Sequence, residues 1–349
     1  METTRAVAAE VVAGPLALVQ LSGHLGNRHG ALAMLLTLCL LGQGAALAQG
    51  AAQKYPQKPV RMLIPNAPGS STDIVGRLIG SRLSEGWGQP VLVDNRAGAT
   101  GVVAAEALAR AAPDGHTMYL VAFTQLIGTL MYQRYMLPSE FAAVSMVGTT
   151  PFALAVSSSL PVKSVAEWIA YAKARPGQLM YGSSGQWGGS HLCMEVFNEM
   201  AGLKLTHVPH PTIPAAMTGL MGDQIQVLCP AAPAGAAYAQ GGRIRMLGIT
   251  YQRPTRLVPG VPPISDTVPG YELLGWYGMQ VTLKTPEDVV NRINADLGRV
   301  LRTTEVQEKM NGAGVEAATS TPAEFAGFLK REGERWGRIL KEGGAKPEP

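Results

Sequence analysis

Residues 60–80 read VRMLIPNAPGSSTDIVGRLIG, which is an apolar strand, a loop of small residues and the beginning of an apolar helix. The strand, Val60–Ile64, is apolar on both faces, as in parallel sheets that helices cover. The helix offers free N–H groups and the positive end of its dipole at the carboxyl end of that strand. The stretch therefore predicts an α/β fold and a candidate anion-binding loop. An ordinary N-cap by Ser71, Thr72 or Asp73 would explain the same residues, so this motif alone leaves both interpretations open.

A second loop of this kind lies about 115 residues further along the chain. It follows a predicted strand near residues 179–181, reads GSSGQWGGSH over residues 182–191, and precedes the predicted helix HLCMEVFNEMAG. Two such loops suggest two lobes that present helix N-termini to one ligand. The candidate ligand-binding residues, with one threonine after a third predicted strand, are Asn66, Gly69, Ser70, Ser71, Thr72, Asp73, Thr124, Ser183, Ser184, Gln186, Trp187, Gly188, Gly189 and Ser190.

The rest of the chain continues the alternation of strands and helices. Further strands are predicted at residues 91–93, 118–121, 152–156, 225–228 and 244–249. Helices are predicted to begin at Ser164, Thr285 and Thr321, each of which precedes a capping sequence or a proline. This order predicts α/β architecture with mostly parallel sheets.

Composition limits the classes of function. The chain has 349 residues, 46% hydrophobic and 15% charged, which suits a globular protein of two domains. Its formal net charge is +4, but Lys and Arg are scattered without a run of five. Nucleic-acid binders usually concentrate such residues in one patch, so no nucleic-acid partner is predicted.

Residues 31–48, ALAMLLTLCLLGQGAALA, have the form of an export signal. Arg28 precedes this short apolar run, and Ala46-Leu47-Ala48 ends it as a signal peptidase requires. We therefore predict a signal peptide over residues 1–48 and a periplasmic mature chain. Acidic residues near the N-terminus suit a signal poorly, so its first part is interpreted as a mis-called extension. In an oxidising compartment, Cys193 and Cys229 can form a disulfide or remain buried thiols, and both alternatives stay open.

Several separate motifs resemble the solute-binding proteins of tripartite tricarboxylate transporters, the Bug-type receptors. Residues 55–73 match the family pattern YPxKPIRLVVPFAPGGGTD, residues 87–101 match LGQPVVVENRPGAGG, and residues 113–118 match PDGYTL. HVP at 207–209 and GWYG at 275–278 also look like family segments. The motifs occur in the family's order, and the resemblance covers roughly residues 53–342.

The resemblance implies a type II periplasmic-binding-protein fold, in which two α/β lobes close on a ligand cleft. Lobe 1 is expected over residues 53–152 and 250–349, and lobe 2 over residues 153–249. The expected ligand is a small carboxylate held by backbone amides and water, without a cofactor or metal. The expected partners are the membrane subunits of a tripartite tricarboxylate transporter, and the chain is expected to be a monomer. A ligand sensor that serves a membrane signalling partner is the alternative.

The chain departs from the family pattern inside both loops. Gly69-Ser70-Ser71 replaces three glycines, and Asn66 replaces a phenylalanine, so the first loop is more polar. Trp187 replaces a glycine of the second loop, where its ring could narrow the cleft or stack on a ligand. We predict this indole in the cleft, and packing in the core is the alternative.

Catalytic motifs are incomplete. Residues 182–186, GSSGQ, nearly match the nucleophile pattern G-x-S-x-G but lack its final glycine. The pairs His207/His210 and His191/Glu195 lack the further ligands of a zinc site. The sequence therefore predicts a binding protein and not an enzyme.

Overall fold

The computed structural model describes residues 55–135 and 137–344, so the predicted signal peptide lies outside the described residues. Two mixed sheets form its frame. The first has the strand order β11-β4-β10-β3-β1-β2 and consists of β1 (Val60–Ile64), β2 (Val91–Asn95), β3 (Thr117–Ala122), β4 (Phe141–Pro151), β10 (Leu274–Thr282) and β11 (Glu316–Ala317). The second has the order β7-β6-β8-β5-β9 and consists of β5 (Ala153–Ser157), β6 (Met180–Ser183), β7 (Thr206–Pro209), β8 (Val227–Leu228) and β9 (Ile244–Ile249).

Helices connect the strands of both sheets. They are α1 (Ser71–Trp87), α2 (Val102–Ala109), α3 (Phe123–Tyr132), α4 (Leu137–Glu140), α5 (Val165–Lys173), α6 (Gly189–Ala201), α7 (Ile213–Met221), α8 (Ala232–Ala239), α9 (Glu287–Leu301), α10 (Thr304–Gly312) and α11 (Pro322–Glu342). Ser164 caps α5, and a complete capping box with Thr321 opens α11, which confirms both predicted starts. The helix predicted at Thr285 begins at Glu287, after Pro286.

The prediction of mostly parallel sheets is wrong. Strands β1–β2, β1–β3, β6–β7 and β6–β8 pair in parallel. The other five pairings in the described part of the chain are antiparallel. The main cause is the pair formed by β4 and β10, whose long strands run side by side toward the second sheet.

Sheet membership follows the chain in three blocks. Strands up to Pro151 and from Leu274 onward belong to the first sheet, and strands from Ala153 to Ile249 belong to the second. We propose the lobe limits 53–152 with 250–349 and 153–249 on this basis. One apolar core cluster contains side chains of both sheets, such as Val121, Val156 and Trp276. The two halves therefore share packed side chains near the crossing strands.

Cys193 in α6 and Cys229 after β8 are joined by a disulfide, with their Cα atoms 6.2 Å apart. Both residues are fully buried. The structure thus selects the bonded alternative. The bridge ties the helix after the second loop to the middle of the second sheet. None of the helices in the described ranges is both long enough and apolar enough to cross a membrane.

Candidate ligand-binding cleft

The first predicted loop lies at an edge where several elements meet. Because β1 and β3 are parallel neighbours, the loop after β1 and the start of α3 lie at the same end of the sheet. Thr124 is half-buried in the first turn of α3. Antiparallel β10 places Tyr277 opposite Ala122, and the Tyr277 hydroxyl lies near the side chain of Ser71. Tyr277, which the motif GWYG contained but sequence reasoning did not single out, therefore belongs to this edge.

The carboxylate of Asp73 holds the first loop in shape. It is 3% exposed and accepts hydrogen bonds from the Gly69 N–H at 2.9 Å, Asn95 Nδ2 at 2.9 Å and Arg77 Nε at 3.0 Å. Burial alone would raise the pKa of Asp73, but these hydrogen bonds together hold it below its ordinary value. Asp73 therefore positions the loop, and its predicted contact with the ligand stays a prediction.

The donors that remain open in the first loop belong mainly to the backbone. Ser70 is the N-cap of α1, and its hydroxyl accepts the Asp73 N–H at 3.3 Å. The N–H groups of Ser71 and Thr72 have no acceptor in the described part of the chain. The side-chain oxygen of Asn66 is buried without a hydrogen-bond partner. The N-cap is therefore Ser70, so the alternative of a cap by Ser71, Thr72 or Asp73 is wrong, and anion binding by the free N–H groups stays a prediction.

Serine and histidine side chains hold the second loop. Ser183 is fully buried, and its hydroxyl hydrogen-bonds Nε2 of His207 at 2.7 Å. The Ser184 N–H donates to the hydroxyl of Ser190 at 3.1 Å. Ser183 was predicted to contact the ligand, and in the structure its hydroxyl holds the loop against His207. The Ser190 hydroxyl likewise forms a hydrogen bond within the loop.

His191 fixes the turn before α6. The Trp187 N–H donates to its Nδ1 at 3.2 Å, so this nitrogen carries no proton. Burial, and then the neighbouring His207, lower the pKa of His191 from 6.5 to about 4. Burial also lowers the pKa of His207. His191 is therefore neutral at pH 7, and residues 182–191 carry no charged side chain at that pH.

The free donors of the second loop again belong to a helix N-terminus. The N–H groups of Gly189 and Ser190 have no acceptor among the residues that the structure describes. Gly188 is the N-cap of α6, and the side chains of Ser184 and Gln186 are exposed. These residues can accept a carboxylate in the manner predicted for the first loop.

Phe152 lies where the chain crosses between the sheets, and sequence reasoning placed it only in a strand. A Cβ added at Gly189 would lie 2.5 Å from its ring, and one added at Gly275 would lie 3.3 Å from it. The ring therefore packs against both the start of α6 and strand β10. Glycine at these two positions allows the contact, which puts an apolar floor beside the second loop.

The contacts of Trp187 do not support the prediction that its indole faces the ligand. A Cβ added at Gly343, after α11, would lie 2.6 Å from the indole, and the ring also meets the edge of His191 at 5.3 Å between centroids. It lines a cavity that continues along α6 to Glu199. The backbone of Trp187 is left-handed, with φ 61°, which turns the side chain toward α11. Sequence spacing could not show this direction.

Comparison with known proteins agrees with these features. A family model described as tripartite tricarboxylate transporter family receptor matches residues 75–345. Protein BugT of Bordetella pertussis is 29% identical over 300 residues, which cover 84% of this chain and 92% of BugT.

Two solved structures are also similar to the chain. An R. palustris protein solved with adipate is 30% identical, with a TM-score of 0.70 over 84% of this chain and 100% of that one. MatC from Rhodopseudomonas palustris, solved with bound malate, is 26% identical, with a TM-score of 0.65 over 82% of this chain and 100% of MatC. The chain therefore belongs to the tripartite tricarboxylate transporter receptor family and is a solute-binding receptor with the type II periplasmic-binding-protein fold, not an enzyme.

Proposed function

We propose that the protein binds a small carboxylate between the loop before α1 and the loop before α6. The observation that carries this proposal is the pair of helix N-termini, whose N–H groups at Ser71, Thr72, Gly189 and Ser190 lack acceptors in the described residues. Such groups, with the positive ends of two helix dipoles, are suited to carboxylate oxygens. The relatives solved with adipate and malate support this ligand class.

Two donor sets, one in each lobe, favour a ligand that carries acceptors at both ends. A dicarboxylate can place one carboxylate on each helix N-terminus, so that binding holds the lobes together. Phe152 provides an apolar surface for the carbon chain of such a ligand. None of the candidate residues is Lys or Arg, so specificity depends on hydrogen-bond geometry and on the distance between the loops.

The bound carboxylate is delivered to the membrane subunits of a tripartite tricarboxylate transporter for uptake. Family membership supports this role over the alternative of a sensor for a membrane signalling partner. We propose that the protein acts in the periplasm as a monomer. The predicted export signal over residues 31–48 supports that location.

The ionised carboxylate is the group to test. A thermal-shift panel of short dicarboxylates that includes adipate and malate would select the best probe, since a ligand at 100 times its Kd adds about 2.7 kcal/mol of stability. Calorimetry should then show that the monoamide of this probe binds at least ~10-fold more weakly than the diacid, because a hydrogen bond to a charged group contributes about 1.5–3 kcal/mol. Equal affinities would refute carboxylate recognition.

Export is tested separately. The intact mass of the protein recovered from periplasm should correspond to a chain that begins at Gln49, after the A-L-A sequence. A cytoplasmic protein that retains residues 1–48 would contradict the proposed location while leaving the ligand proposal untouched.

A further inference from the structure

The side chain of Trp187 joins the second loop to α11, and the two belong to different halves of the molecule. The second loop follows β6 of the second sheet. Helix α11 packs on the first sheet, where a Cβ added at Gly278 in β10 would lie 2.0 Å from the ring of Phe325. A Cβ added at Gly343, directly after α11, would lie 2.6 Å from the indole of Trp187. The indole is therefore a contact between the two halves, and it comes only two residues before Gly189.

The backbone of Trp187 adopts a conformation that a bulky residue seldom takes. Its φ is 61°, in the left-handed region, which glycine adopts without the steric penalty that a Cβ brings. Such a conformation persists where the surrounding contacts determine it. Here those contacts are the hydrogen bond from the Trp187 N–H to His191, the edge contact between the two rings, and the end of α11. Loss of the contact with α11 should therefore let the loop leave this conformation.

The contact with α11 can be changed without altering the loop. A cavity of about 470 Å³ lies between α6 and the end of α11, and Trp187, Ile339 and Gly343 line it. Because the two helices are not closely packed here, the large indole fills part of the space between them. Gly343 has φ −77°, which any residue can adopt, and a side chain there would meet the far edge of the indole first. A substitution at Gly343 thus displaces the indole from the side of α11.

We propose that Trp187 is a positioning residue, whose indole on the end of α11 holds the second loop in the conformation that presents the N–H groups of Gly189 and Ser190. The inference rests on the proposed function, because those N–H groups are the donors assigned to the carboxylate in the second lobe. The first lobe thus contributes to binding at the second loop through a contact with α11. The family pattern, which has glycine in place of Trp187, lacks this connection.

Amide hydrogen exchange of the ligand-free protein tests the positioning itself. Gly343→Leu leaves the loop sequence intact and forces the indole away from α11. The amides of Ser184, Gly185 and Trp187 donate hydrogen bonds that hold the loop, so in this variant they should exchange at least ~5-fold faster than in the unmodified protein. Gly312→Leu is the matched control, since Gly312 ends α10 and has open space around it.

The loop of Gly312→Leu should exchange as it does in the unmodified protein. Exchange in the first sheet should be the same in both variants, which shows that they fold. Unchanged exchange of the loop in Gly343→Leu would overturn the proposal.

Calorimetry with the dicarboxylate probe tests the effect on binding. Gly343→Leu should weaken binding at least ~5-fold, because the apparent affinity falls with the fraction of molecules whose loop keeps the binding conformation. Gly312→Leu should bind as the unmodified protein does. Trp187→Gly should also weaken binding, and in that background Gly343→Leu should cause no further loss, since no indole is left to displace.

Unchanged affinity in Gly343→Leu, or an equal loss from this substitution with and without the indole, would overturn the proposal. If none of the dicarboxylates binds the unmodified protein, the carboxylate proposal fails, and hydrogen exchange alone decides the role of Trp187.

Discussion

The loops before α1 and α6 offer the same donors but are held in different ways. The first loop is held by one buried carboxylate, Asp73, which takes hydrogen bonds from Gly69, Asn95 and Arg77. The second is held by neutral groups, chiefly the pairs Ser183–His207 and Trp187–His191. The comparison shows that the loop before a helix N-terminus can be held in place by one buried carboxylate or by neutral hydroxyl and imidazole groups.

The two loops should respond differently to reduction of the disulfide and to acidification. The helix after the second loop carries the disulfide, whereas the helix after the first loop is held by packing and hydrogen bonds. The low pKa of Asp73 keeps its carboxylate charged at mildly acidic pH. The imidazoles of His191 and His207 bind protons there more readily in the unfolded chain than in the folded protein, because folding lowers the pKa of both rings. Reduction and acidification should therefore each destabilise the region of the second loop more than that of the first.

The largest expected effect follows loss of the disulfide. Cys193 and Cys229 are 36 residues apart, and closing a loop of that length in the unfolded chain stabilises the fold by about 3–4 kcal/mol. Urea unfolding of Cys193→Ala/Cys229→Ala should show a loss of this size. Reductant should lower the stability of the unmodified protein but leave that of the double variant unchanged. A free energy of unfolding that is identical with and without the bridge would contradict the account.

A smaller effect is expected on acidification of the second loop. The pKa of His191 is about 4 in the folded protein and 6.5 as its ordinary value, so the unfolded chain binds a proton first. The contribution of His191 to the free energy of unfolding is therefore fully present above pH 6.5. It falls by about 2–3 kcal/mol as the pH drops toward 4. His207, whose pKa burial also lowers, adds in the same direction, while Glu195 opposes this by raising the pKa of His207.

Urea unfolding between pH 4.5 and 7.5 measures this slope. His191→Gln keeps an acceptor for the Trp187 N–H and removes the titrating ring, so its stability should vary less with pH than that of the unmodified protein. The pKa of Asp73 is lowered from its ordinary value of 3.8, so its carboxylate contributes little slope in this window. An unchanged slope in His191→Gln would show that His191 does not govern the acid response.

Much of the framework could be predicted from local sequence. Strands Val60–Ile64 and Ile244–Ile249 were predicted at their observed limits, because apolar runs between turn residues are a strong signal. Strand β10 was missed, since the glycines of GWYG weaken a strand pattern, and they are needed there for contact with other side chains. The parallel or antiparallel sense of each pairing depends on the whole chain path and could not be predicted locally.

The candidate site was predictable in its loops but not in its side chains. The strand–loop–helix pattern places free N–H groups wherever it occurs, so the two donor sets follow from sequence. Burial of Asp73 and Ser183 depends on neighbours distant in sequence, Asn95 and His207. The direction of Trp187 depends on where α11 ends. The spacing of residues along the sequence does not reveal such long-range contacts.

The central claim is that a backbone N–H of the first loop binds the carboxylate, and Ser71 allows a direct test. Ser71 is the first residue of α1, where proline fits the helix and removes only the N–H. Ser71→Ala keeps the N–H and removes the hydroxyl. Thr304→Pro is the matched control, since Thr304 is the exposed first residue of α10. Thr304→Pro should bind the dicarboxylate probe with the same affinity as the unmodified protein.

Calorimetry of these three variants with the dicarboxylate probe is the measurement. The account predicts that Ser71→Pro binds at least ~10-fold more weakly than Ser71→Ala, a difference of about 1.4 kcal/mol or more, because one hydrogen bond to a charged group is lost. If Ser71→Pro unfolds at the same temperature as Ser71→Ala and binds the probe equally well, the helix N-terminus does not hold the carboxylate and the account is contradicted.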